Sequence, residues 1–65
     1  MSNAIKLEMM LRSLKAQSRL LADARAMAER GDCSPEYPDL WATECDITSQ
    51  RIRDLFIQST QDGWD

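Results

Sequence analysis

The side chains of this 65-residue sequence that could carry out chemistry are few. There is no His to act as a base near neutral pH, no glycine-rich phosphate loop and no nucleophile motif. Glu36 with Asp39, and Glu44 with Asp46, could form carboxylate pairs, but they fall on one predicted helix, where no cleft encloses them. The sequence therefore predicts no catalytic residue, no enzymatic activity and no cofactor.

The two cysteines, Cys33 and Cys45, do not form a metal site by themselves. An ordinary zinc site needs about four nitrogen or sulfur ligands, which one chain without His cannot supply. There is no paired CxxC spacing and no secretion signal, so we expect reduced thiols in a cytoplasmic protein. No apolar run approaches the ~20 residues of a membrane span, so we expect no membrane partner.

Residues 4–30 predict a long first helix. They contain no Gly or Pro and are rich in the strongest helix formers. Ser2 or Asn3 is expected to cap the start, and Gly31 to end the helix. Apolar residues recur at the three- and four-residue spacing of one helical face. These residues are Leu7, Met10, Leu11, Leu14, Leu21, Ala24 and Ala28.

A turn over residues 31–35 and a second helix over about 36–61 follow from composition. Ser34 is one candidate for the N-cap, with Pro35 as the first helical residue. Pro38 is the alternative first helical residue, and Gly63 marks the C-terminal stop. The apolar positions of this helix are Leu40, Trp41, Cys45, Thr48, Ile52, Leu55 and Phe56.

Two long helices joined by so short a turn predict an all-α, antiparallel two-helix hairpin in a single domain over residues 1–65. Folding the chain back about the turn sets Ser18 roughly opposite Thr48 or Gln50, Leu14 near Leu55, and Leu11 near Phe56. Both stripes are small or polar in the middle, at Gln17, Ser18, Cys45 and Thr48. We interpret this polar layer as a device that fixes the register of the two helices.

A hairpin of this size is expected to need a partner. Natural chains this short usually add a disulfide, a metal or a second subunit, and two helices share only one seam. The apolar side chains left outside would form a patch of several hundred Å². We expect a homodimer that forms a four-helix bundle, or a different protein over the same face. The predicted core and dimer residues are Leu7, Leu11, Leu14, Leu21, Ile52, Leu55 and Phe56.

Charge divides unevenly between the two halves. Residues 1–30 carry six basic and three acidic side chains, a net +3, while residues 31–65 carry two basic and eight acidic ones, a net −6. We interpret this as two helices that attract each other. The alternative is a nucleic-acid-binding row on the first helix. That row would consist of Arg12, Lys15, Arg19 and Arg30.

An aromatic cluster at the start of the second helix is the best candidate for a binding site. Tyr37 and Trp41 lie one turn apart, with Leu40 beside them. Rigid aromatic side chains of this kind form the hot spots of protein interfaces. Trp41 could instead pack between the helices at the turn end of the hairpin, where the turn joins them. Trp64 is either a cap over the open end, where the two chain termini lie, or a further contact.

These observations favour a small adaptor or inhibitor that occupies a surface of another protein, such as a regulator. In size and architecture the chain resembles the short acidic helical dimers that phages encode as inhibitors of host regulators. The alternatives are a nucleic-acid-associated regulator that uses the basic face of the first helix, and a structural subunit of a larger helical assembly.

Overall fold

The computed structural model describes residues 2–64, and within that range the chain forms two α-helices and no strand. Helix α1 spans Asn3–Glu29 and helix α2 spans Glu36–Asp62. The two helices pack antiparallel in a rod of 47 × 14 × 12 Å, which confirms the predicted all-α hairpin. Each helix end lies within one residue of its predicted position.

The ends of α1 are closed by local hydrogen bonds. Ser2 is the N-cap, and its hydroxyl accepts from the Ile5 amide at 3.2 Å. At the other end Gly31 has φ +78°, a conformation that glycine adopts without steric cost. The Asp32 amide then donates to the carbonyl of Met27 at 2.8 Å, as in a Schellman motif. The chain therefore leaves α1 at a defined angle.

The start of α2 differs from both sequence-based alternatives. Pro35 is the N-cap residue, and the Ser34 carbonyl accepts from the Tyr37 amide at 3.0 Å. Pro38 is buried as the third residue of the helix. A proline is tolerated there because the first amides of a helix have no intrahelical acceptor. The helix starts one residue later than a Ser34 N-cap predicts, but the expected capping bond is present: the Ser34 hydroxyl accepts from the Glu36 amide at 3.3 Å, and Pro35 already has helical φ and ψ of −58° and −21°.

The buried faces of the two helices follow a strict heptad spacing. The residues of these two faces form the contact between the helices, which we call the seam. Every seam residue is buried or half-buried, and Ala24, Thr48, Leu55 and Ser59 are nearly inaccessible. In α1 the seam consists of Leu7, Met10, Leu14, Gln17, Leu21, Ala24 and Ala28. In α2 it consists of Pro38, Trp41, Cys45, Thr48, Ile52, Leu55 and Ser59. This spacing is that of an antiparallel coiled coil.

The polar layer lies in the middle of the seam, but the residue of α1 that pairs with Thr48 there is Gln17 and not Ser18. The Thr48 hydroxyl donates to the side-chain carbonyl of Gln17 at 2.7 Å, whereas Ser18 is exposed. Gln17 and Thr48 therefore form the polar layer as predicted, whereas Ser18, which was predicted to lie roughly opposite Thr48 or Gln50, lies outside the seam. Leu11 and Phe56, predicted in the core and dimer set, lie outside the hairpin seam and are 49% and 53% exposed. A strict heptad seam is narrower than an ordinary apolar face, so flanking positions stay uncovered.

Charge does not join α1 to α2. The ion pairs of residues 2–64 are Arg12 with Glu8 and Arg30 with Asp32, at 2.8 and 2.9 Å. Both are solvent-exposed, and neither links the two helices. Among the described residues, the opposite charges of the two halves therefore form no ion pair between the helices. Neither helix is both long and apolar enough to cross a membrane.

Candidate functional site

The first turns of α2 form a shallow depression of about 330 Å³ near the turn of the hairpin. We call this the turn-end surface; it is lined by Tyr37, Leu40, Trp41, Thr43 and Glu44. Three of these five residues are those that the sequence singled out for partner binding. Two of the three, Tyr37 and Leu40, are exposed, and Leu40 is the more exposed at 65%.

Trp41 has a position compatible with both of the roles that the sequence suggested. It occupies a seam position and is half-buried there, yet it also lines the depression. One ring therefore packs between the helices and contributes apolar area outside. Because the ring is held by the seam, it loses little conformational freedom when a partner covers it.

The polar groups of the turn-end surface include donors, the Tyr37 hydroxyl and the Trp41 indole N–H, and acceptors on Thr43 and Glu44. The Thr43 hydroxyl already donates to the carbonyl of Asp39 at 3.0 Å, which leaves only its lone pairs. Glu44 is ionic, and within residues 2–64 it forms no ion pair. The stretch 31–50 contains five acidic residues and no Lys or Arg. The surface is therefore apolar, acidic and poor in cations.

A second depression, of about 430 Å³, lies on the outer face of α1, away from the seam. We call this the α1 outer surface; it is lined by Arg12, Lys15, Ala16, Arg19 and Leu20. The small side chain of Ala16 lies between three long basic ones, and Leu20 is 42% exposed. This surface combines apolar area with positive charge.

Three of the four residues of the predicted basic row come together on the α1 outer surface. The fourth, Arg30, follows the last turn of α1 and donates to the Asp32 carboxylate at 2.9 Å. Arg12 is also paired, with Glu8, but an exposed pair within one helix contributes little. Lys15 and Arg19 form no ion pair within the described range.

Trp64 lies at the opposite end of the molecule from the turn-end surface. Its ring meets Phe56 edge to face, with centroids 5.0 Å apart, and its carbonyl accepts from the Ala4 amide at 3.2 Å. The Asn3 side-chain amide donates to the carbonyl of Gly63 at 2.9 Å. Of the two predicted roles, the structure supports a cap over the open end. Trp64 does not join the other three predicted contact residues.

Both cysteines are free and half-buried. Cys33 lies in the turn with its Sγ 3.8 Å from the carbonyl oxygen of Ala24, and Cys45 occupies a seam position. Within residues 2–64 no group of three Cys, Asp or Glu side chains is placed to hold a metal ion.

Sequence reasoning missed four residues of the two surfaces as site residues, namely Thr43, Glu44, Ala16 and Leu20. A signal for them was available, because residues three and four apart on a helix are surface neighbours. Thr43 and Glu44 follow Leu40 at that spacing, Ala16 follows Arg12, and Leu20 follows Ala16.

Comparison of this chain with known protein families, curated proteins and solved structures gives no match. No function can therefore be carried over from a relative.

Proposed function

We propose that this chain is a protein-binding module, an adaptor or inhibitor that covers a surface of another protein, such as a regulator, and that it acts without catalysis. The observation that carries the proposal is the turn-end surface. There, Leu40 is 65% exposed beside Tyr37 and Trp41, on a rigid helical scaffold.

The energetic reason is that the exposed side chains of Tyr37 and Leu40 contribute little to the stability of the hairpin but could contribute much to a complex. An exposed Leu contributes little to folding, while burying it fully would gain about 1.5–3 kcal/mol. Aromatic rings add large contact areas with few rotatable bonds. A cluster of this composition is typical of interface hot spots, which are rich in Tyr and Trp.

Self-association into a four-helix bundle is the second part of the proposal. Large apolar side chains remain exposed along the whole rod, which supports a form in which a second subunit covers some of them. Those at least 42% exposed are Ile5, Met9, Leu11, Leu20, Leu40, Ile47, Phe56 and Ile57.

Affinity capture with matched variants tests the binding function. Leu40→Ala with Tyr37→Ala removes the turn-end contacts. The control is Ile57→Ala with Met9→Ala, which removes apolar side chains of 63% and 54% exposure at the other end of the rod. We expect a protein that is retained by wild type and control and lost by the turn-end variant, with circular dichroism confirming that all three chains are folded. Equal retention by all three would contradict the proposal.

A nucleic-acid-associated regulator is the second candidate, favoured by the convergence of Arg12, Lys15 and Arg19 on one depression. Binding through these groups would weaken steeply with salt, because it releases counterions from the phosphates. Capture that is abolished by nuclease, and by Arg12→Glu with Arg19→Glu, would favour this candidate over the first.

A further inference from the structure

The hairpin exposes more surface than a folded monomer of its mass. Its accessible area is 4969 Å² at 7.5 kDa. The size scaling of monomeric proteins gives about 4,250 Å² for this mass, so the excess is about 700 Å². A standard protein interface removes about 800 Å² from each partner. The excess is therefore close to the area that one protein interface would remove from each subunit.

The two depressions are complementary in chemistry. The turn-end surface offers Leu40 and the carboxylate of Glu44, and the α1 outer surface offers Leu20 with the cations of Lys15 and Arg19. None of these charged groups forms an ion pair within residues 2–64. Opposite charges around apolar centres are the arrangement that selects one partner surface and speeds association.

Local helix electrostatics do not account for Glu44. Acidic residues in the first turn of a helix are stabilised by the positive end of its dipole, and Glu36 and Asp39 have that position in α2. Glu44 lies beyond the first turn, where this effect has faded. A basic partner surface would give this carboxylate an ionic contact that the hairpin itself does not supply.

We propose that the occupant of the turn-end surface is a second copy of this chain, which presents its α1 outer surface. The inference rests on the proposed function in taking the turn-end surface to be a protein-binding surface. Glu44 of each copy pairs with the cations around Arg19 of the other, and Leu40 packs over the gap at Ala16. A two-fold axis forms both contacts at once, since each copy supplies one surface of each kind.

This arrangement makes self-association and binding of another protein mutually exclusive at the turn-end surface. A target then has to compete with the second copy, and the fraction of free surface rises as the protein is diluted. Dimerisation thus regulates access to the same residues that bind the target.

Charge reversal on the full chain tests the pairing. Arg19→Glu replaces the cation that faces Glu44 of the other copy by a second carboxylate, and Glu44→Lys places an ammonium group opposite Arg19. We expect sedimentation equilibrium to give a wild-type dimer, and each variant alone to dissociate with a Kd raised at least about tenfold. In an equimolar mixture of the two variants both contacts again join opposite charges, so dimers should return.

Matched controls hold the net charge constant. Arg53→Glu gives the same net charge as Arg19→Glu, and Glu29→Lys the same as Glu44→Lys, at exposed positions that line neither depression. Both controls should dimerise like wild type, and circular dichroism establishes that every variant is helical.

Three results would overturn the inference: a monomeric wild type, dimers that persist in both reversed variants, or a mixture that stays monomeric. Head-to-tail contacts would give oligomers larger than dimers in the same measurement, and that result would also exclude the two-fold arrangement. The proposed function fails separately, through the capture experiment. A monomeric wild type that still loses a captured protein on Leu40→Ala with Tyr37→Ala would leave the binding function standing.

Discussion

The two ends of the hairpin use aromatic side chains in opposite ways. At the open end the Trp64 ring packs against Phe56, while the carbonyls of Gly63 and Trp64 accept hydrogen bonds from Asn3 and Ala4. At the turn end the chain itself joins the helices, and Tyr37 and Leu40 remain exposed.

The difference follows from connectivity. Two chain ends that meet without a covalent link must be held together by packing and hydrogen bonds, since helix ends otherwise fray. The turn end needs no such closure, because Gly31 and Asp32 complete the end of α1 and Pro38 is buried at the start of α2. Aromatic and apolar side chains at the turn end are therefore available for a partner.

The largest expected effect compares a buried leucine in the open half with an exposed one at the turn end. Leu55 is 7% exposed and Leu40 is 65% exposed. Leu55→Ala should lower the free energy of unfolding by about 2–5 kcal/mol, because it leaves a cavity in the seam. Leu40→Ala should change it by no more than about 0.5 kcal/mol in dilute solution. Urea unfolding followed by circular dichroism measures both, and similar losses for the two variants would refute the assignment of Leu40 to a binding surface.

Removing the ring at the open end should have a smaller and more local effect. Trp64→Ala deletes the edge-to-face contact with Phe56 and should cost about 1–2 kcal/mol. The Ala4 amide, which donates to the Trp64 carbonyl, should then exchange faster with deuterated solvent. Tyr37→Ala is the control at the other end and should leave that exchange rate unchanged. An unaltered rate in Trp64→Ala would mean that the ring does not hold the open end closed.

The architecture could be predicted because its signals are local. Gly31, the absence of Gly and Pro from residues 4–30 and the three- and four-residue spacing of apolar side chains define two helices and a short turn. The partner of Thr48 could not be predicted, since folding about a turn gives the register only to within a residue. The longer side chain of Gln17 reaches across the seam, and the shorter Ser18 lies one position off it.

The candidate site could be predicted only in part. Tyr37, Leu40 and Trp41 are neighbours on one helix, so their grouping was evident from spacing alone. The role of Trp64 depends on where the two chain ends meet, which is a property of the folded hairpin. The ion pair of Arg30 with Asp32 likewise depends on how the backbone turns at Gly31.

Two buried hydroxyls offer the finest comparison between the middle of the seam and its open end. Thr48 donates to Gln17, whereas the Ser59 hydroxyl is buried with no hydrogen-bond partner within residues 2–64. Thr48→Val should lower stability by about 0.5–1.5 kcal/mol, because it removes a net hydrogen bond and leaves the Gln17 carbonyl half-buried. Ser59→Ala should raise stability by a similar amount, because it removes an unpaired polar atom and because Ala is the stronger helix former.

The opposite signs make this pair of variants informative. Each kcal/mol shifts the midpoint of thermal unfolding by about 4–8 °C in a domain of this size, so calorimetry resolves both changes. Destabilisation by Ser59→Ala would mean that the hydroxyl has a partner in solution, such as a bound water, and that the open end is more polar inside than its packing suggests. Stabilisation would show that the open end is held by Trp64, Phe56 and the terminal hydrogen bonds despite an unpaired group beneath them.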